Sequence, residues 1–86
     1  MKQKILDRLN EIIVEEKGDR VCINCKWTDT NLDSLGTLIT IATLESEYPI
    51  FGPGEGLESL DFPNLTIREL VKKCVLSITA TSPEQN

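Results

Sequence analysis

The chain has 86 residues, with 14 Asp plus Glu against 9 Lys plus Arg, no histidine, three cysteines and a formal net charge of −5. A chain of this length builds one modest core and encloses no deep pocket with its own side chains, so an active site of cofactor scale is not expected. Without histidine, Ser-His-Asp and Cys-His catalysis and imidazole metal ligation are closed, and the acidic balance argues against nucleic acid and against an anionic membrane surface.

Met1-Lys2-Gln3-Lys4 runs directly into a mixed polar and apolar pattern, without the apolar stretch of a signal peptide, and no segment approaches the length of a membrane span. Three cysteines in such a chain point to free thiols in a reducing compartment, which makes the cytoplasm the expected location.

From Lys2 to Lys17 the residues Ile5, Leu6, Leu9, Ile12 and Ile13 recur at helical spacing, and Gly18 is placed to end this first helix in a left-handed cap. Between residues 19 and 32 the period changes to two, with Val21, Ile23, Cys25 and Trp27 on one side. A lone strand has no ladder partner, so the expectation is a long loop that packs Val21, Ile23 and Trp27 against helices. Asp33 can cap a second helix, Ser34 to Tyr48, in which Leu35, Leu38, Ile41, Ala42, Leu44 and Tyr48 recur at helical spacing before Pro49. Residues 49–56, rich in glycine and proline, predict a loop, and Leu57 to Asp61 a single helical turn. Thr66 and Glu69 form a capping box for the last helix, flanked by Leu65 and Leu70 as a hydrophobic staple. Its apolar stripe is Ile67, Leu70, Val71, Cys74, Val75 and Ile78. The expected fold is all-α: three main helices and one short helix in a small bundle with a long first loop, one domain over residues 1–80 and a polar tail over 81–86.

Several motifs invite chemistry and then fall short of it. Cys22 and Cys25 form one Cys-x-x-Cys, but a structural zinc needs four ligands and only Cys74 remains to add. If the segment is extended, the two side chains point to opposite faces; small buried or semi-exposed thiols are expected, with Cys74 in the core. Asp29, Asn31 and Asp33 imitate the start of a calcium loop, yet Ser34 stands where its glycine belongs and Thr40 where its bidentate glutamate belongs. Gly52, Gly54 and Gly56 surround an acid and no lysine, which suits turns better than a phosphate cradle. Ser34, by contrast, falls at the first turn of a helix, where unpaired N–H groups and the positive end of the dipole favour a phosphate on its hydroxyl.

The stretch Asp33 to Tyr48, with Asp-Ser-Leu opening an amphipathic helix that ends in acids and an aromatic, resembles the signature of the acyl carrier protein family. Leu65-Thr-Ile-Arg-Glu-Leu-Val is similar to the start of that family's last helix, and the likeness extends from Lys2 to about Ile78. The resemblance implies that a separate phosphopantetheinyl transferase attaches 4′-phosphopantetheine from coenzyme A to Ser34. The arm's thiol would then hold acyl groups as thioesters for partner enzymes of fatty acid, lipid or polyketide-type synthesis. It further implies that Asp33 caps the helix and positions the serine, and that Leu35, Ile39, Ala42, Glu45 and Glu47 face acyl-loading and acyl-using enzymes with basic docking patches. The chain would be a monomeric carrier and not itself an enzyme. Gly36 and Ile39 depart from the family, which often has acids there. Two alternatives stand beside this reading: a peptidyl or aminoacyl carrier, and an acidic helical interaction module that is never modified.

Charge is segregated along the chain. Residues 1–32 hold six acids and six bases, and residues 64–86 two acids and three bases. Residues 33–63 hold six acids, Asp33, Glu45, Glu47, Glu55, Glu58 and Asp61, and no base. The excess negative charge therefore lies in the segment that carries Ser34.

Overall fold

A computed structural model describes residues 2–51, 56 and 60–81. Among these residues the chain is all-α, with helices α1 (Lys2–Glu15), α2 (Ser34–Glu47) and α3 (Ile67–Thr81), a short 3-10 turn over Trp27–Thr30, and no strand. α3 includes Thr81, the first residue of the expected tail. The single turn expected within Leu57 to Asp61 falls mainly on residues outside the described ones, as do Gly52 and Gly54 of the glycine loop.

α1 packs against both α2 and α3. Its buried stripe is Ile5, Leu9, Ile12 and Ile13, joined in one cluster by Ile41 and Leu44 of α2 and by Ile67, Leu70, Val71 and Cys74 of α3. Asn10 is buried among these apolar neighbours, which ordinarily penalises an amide. Both of its polar atoms are satisfied by one residue of the long loop: Nδ2 donates to the Val21 carbonyl at 2.9 Å and Oδ1 accepts the Val21 N–H at 2.8 Å. Asn10 therefore supplies the backbone partner that Val21 lacks for want of a neighbouring strand.

The first helix ends differently from the expectation. The left-handed residue is Lys17, at φ 70°, and not Gly18. Gly18 N–H donates to the Ile13 carbonyl at 2.8 Å and Lys17 N–H to the Val14 carbonyl at 2.9 Å, the paired bonds of a Schellman motif. Glycine at position 18 serves space instead: a Cβ there would lie 2.6 Å from Leu32 Cδ2 and 2.8 Å from Ile13 Cγ2. The close approach of Leu32 brings the chain back to the bundle just before α2.

An antiparallel bridge between Lys26 and Thr66 joins the long loop to the residue just before α3. Trp27 N–H donates to the Leu65 carbonyl and Ile67 N–H to the Cys25 carbonyl, each at 2.8 Å. Val21 and Trp27 are buried and Ile23 half-buried, as the period-two pattern predicts. The capping box of α3 forms as read: Glu69 N–H donates to Thr66 Oγ1 at 3.1 Å, and Thr66 N–H to Glu69 Oε1 at 3.2 Å. Leu65 and Leu70, the two staple residues, are both buried.

Candidate functional site

Asp33 starts α2. Its backbone is extended (φ −79°, ψ −176°), its Oδ1 accepts the Gly36 N–H at 2.7 Å and its carbonyl accepts the Thr37 N–H at 2.9 Å. Ser34 is thereby the first helical residue, and it is exposed. Gly36 is buried against the cap: a Cβ would stand 3.1 Å from Asp33 Oδ1 and 3.2 Å from Leu32 Cδ2. A larger side chain at position 36 would push both neighbours back, so the glycine that departs from the resembling family answers a local packing demand.

α2 is apolar on two sides. Its core face is Gly36, Thr40, Ile41 and Leu44. Leu35, Leu38 and Ile39 are 64%, 47% and 37% exposed, and Ala42 lies with them on the solvent side. Leu35, Leu38 and Ala42, which share the helical spacing of the core residues Ile41 and Leu44, form with Ile39 a ridge that begins one residue after Ser34.

A groove of about 590 Å³ opens on the other flank of Ser34, walled by Trp27, Leu32, Thr37, Phe62 and Pro63. The rings of Trp27 and Phe62 meet with centroids 5.6 Å apart at a 53° tilt, and Trp27 Nε1 donates to Thr37 Oγ1 at 3.2 Å. That bond ties the loop to the first turn of α2. Of these walls the sequence singled out Trp27 alone. Phe62 and Thr37 have no local signature, because they meet Trp27 only through the tertiary fold.

The two acids at the other end of α2 are engaged within the chain. Glu45 Oε1 accepts the Ile50 N–H at 2.7 Å and the Phe51 N–H at 3.3 Å, so it closes the turn that follows Pro49. Glu47 receives Arg8 in a forked contact, Nη2 to Oε2 at 2.7 Å and Nε to both carboxylate oxygens at 3.0 and 3.1 Å. The guanidinium holds the Glu47 carboxyl below the usual range. Glu55 and Glu58 lie outside the described residues.

The three residues that imitate a calcium loop have separate local roles. Asp29 Oδ2 accepts the Lys26 N–H at 2.9 Å, Asn31, left-handed at φ 59°, donates to Asp19 at 2.6 Å, and Asp33 caps α2. No group of three or more Cys, Asp or Glu side chains among the described residues is arranged to hold a metal ion.

All three cysteines are free thiols, but Cys22 and Cys25 are not held apart on opposite faces of an extended segment. Residues 22–25 form a turn, with Cys25 N–H donating to the Cys22 carbonyl at 3.1 Å, and the two sulfurs stand 3.0 Å apart. Cys74 is buried in the core as expected, and burial, with a smaller contribution from Glu45, pushes its thiol up to about 12.

No helix among the described residues is long and apolar enough to cross a membrane. Comparison of the chain with protein-family models, with curated proteins and with solved structures finds no match.

Proposed function

We propose that the chain is a phosphopantetheine-dependent acyl carrier whose attachment residue is Ser34. The observation that carries this reading is an exposed serine at the first position of α2, set between the apolar ridge and the Trp27 groove. The ridge residues Leu35, Leu38 and Ile39 lie outside the core, whereas the groove is floored by the core residue Trp27 with Leu32 and Phe62 packed on it. Together they suit a site that is modified by one enzyme and read by others.

The residues present fit the group. Asp33 occupies one first-turn N–H, that of Gly36, and leaves the serine outside the cap with its hydroxyl clear of the carboxylate's bond. A phosphodiester on Ser34 Oγ would sit at the positive end of α2, where the dipole and first-turn N–H groups favour negative charge. When attached, 4′-phosphopantetheine supplies a terminal thiol that carries acyl groups. Leu35 and Ile39 supply apolar contact next to the attachment point, and Trp27 and Phe62 supply an apolar wall that limits water on the other flank. None of these residues performs the chemistry itself. Because Glu45 and Glu47 are engaged within the chain, docking rests first on the ridge and only second on charge.

Intact mass after incubation with coenzyme A and a broad-specificity phosphopantetheinyl transferase tests this. One adduct on the wild type and none on Ser34→Ala is the expected result. An unmodified wild type would leave the ridge as the contact face of an unmodified interaction module, and an adduct that survives the substitution would remove Ser34 as the attachment residue. Loading assays with acyl- and aminoacyl-adenylating enzymes then separate the acyl carrier from a peptidyl carrier.

A further inference from the structure

The turn that bears Cys22 and Cys25 is fixed from both neighbouring helices. Asn10 of α1 holds both backbone groups of Val21. From α3, Arg68 Nη2 donates to Asn24 Oδ1 at 2.6 Å and Ile67 N–H to the Cys25 carbonyl at 2.8 Å. None of these bonds involves sulfur. Inside the turn, Cys22 N–H donates to Cys25 Sγ at 3.3 Å and the sulfurs are 3.0 Å apart. Two thiols already ordered at this distance react as an intramolecular pair, with little chain entropy left to lose.

The pair is asymmetric. Cys22 is exposed and Cys25 half-buried. The hydrogen bond from Cys25, backed by the Asn24 backbone, draws the Cys22 thiol below its ordinary value. The same bond pushes Cys25 up. The outer sulfur is thus the more readily ionised of the two, and the inner one stands beside it.

We propose that Cys22 and Cys25 form a thiol–disulfide exchange site whose substrate is a small-molecule disulfide of the glutathione class. Cys22 thiolate attacks one sulfur of that disulfide; its S–S bond breaks and one thiolate leaves, taking a proton from solvent. Cys25 then gives up its proton to solvent and attacks Cys22 Sγ, which releases the second small thiol. Two protein thiols are oxidised to one disulfide and the external disulfide is reduced to two thiols, so electrons and protons balance. The site is independent of Ser34 and stands or falls separately from carrier function.

The test equilibrates the reduced full chain, without oxygen, in stepped ratios of reduced to oxidised glutathione. Samples are quenched in acid, alkylated after denaturation and weighed intact. As the ratio falls, a species lacking two hydrogens and carrying a single alkyl group, on Cys74, should replace the species alkylated at all three cysteines. Brief alkylation of the native reduced chain should mark Cys22 on the order of 10 times faster than Cys25. Cys25→Ser should accumulate a mixed disulfide with glutathione at Cys22, and Cys22→Ser should not do so at Cys25. Full alkylation of the wild type at every ratio, a bond that maps to Cys74, or equal native reactivity of Cys22 and Cys25 would overturn the proposal. The wild-type measurements decide it even if a serine variant fails to fold.

Discussion

α2 and α3 are similar in length and both touch α1, yet they spend their apolar residues differently. α3 sends Ile67, Leu70, Val71 and Cys74 into the core and places Arg68, Glu69 and Lys72 in water, with Leu76 exposed further along. Its first turn closes on itself through Thr66 and Glu69 and is covered by the bridge to Lys26. α2 lines its core face with Gly36 and Thr40 beside Ile41 and Leu44, and leaves Leu35, Leu38 and Ile39 in water. Packing explains the apolar residues of the α3 stripe. It does not explain the ridge of α2, so the ridge is where a function outside the bundle finds its material.

The contrast is sharpest in what substitutions cost. Leu70→Ala in α3 removes a side chain with no exposure and should destabilise the chain by about 2–5 kcal/mol, read as a lower urea midpoint. A cost below about 1 kcal/mol would mean that α3 is not the better-packed helix.

Thr40→Val in α2 should have the opposite sign. The Thr40 hydroxyl is fully buried and Oγ1 has no hydrogen-bond partner among the described residues, so a near-isosteric methyl should raise stability by about 1 kcal/mol. A loss instead would show that this hydroxyl finds a partner in solution.

Glu47→Gln addresses the clamp between α2 and α1, with a smaller effect. Arg8 lowers the folded-state pKa of Glu47, so the pair's contribution is complete above the unfolded glutamate value and disappears as pH falls through the lower, folded one. The variant should be less stable than the wild type at pH 7, and the two should converge as the pH falls through the lowered folded-state value. Equal urea midpoints at pH 7 would mean that the forked contact does not hold the helices together.

The smallest effect on stability is expected for Leu35→Ser combined with Ile39→Ser, within about 0.5 kcal/mol of the wild type because neither side chain is in the core. The same double variant should slow modification at Ser34 in transferase time courses. A large loss of stability would return the ridge to the fold and remove the difference between the two helices.

Much of this contrast was legible before any coordinates, where the signal is local. Asp33 as the cap of α2 and Thr66 with Glu69 at α3 need only side chains that reach their own first turn. The segment of excess acid was readable too, but the engagement of Glu45 with Ile50 and Phe51 and of Glu47 with Arg8 was not. Arg8 is 39 residues from Glu47, and nothing at either position marks the other.

The amino-acid sequence by itself determined the three main helices, the starting caps of α2 and α3, the burial of Val21 and Trp27, and the place of Ser34 in the first turn of α2, because each follows from spacing along a chain of known local geometry. The tertiary structure alone decided which side of α2 meets the core, why Lys17 and not Gly18 takes the left-handed turn, and that Cys22 and Cys25 share one turn. Period two had placed those cysteines on opposite faces. The turn closed by Cys25 N–H on the Cys22 carbonyl brings the sulfurs together instead, and Asn10, Ile67 and Arg68, from two other helices, hold its flanks.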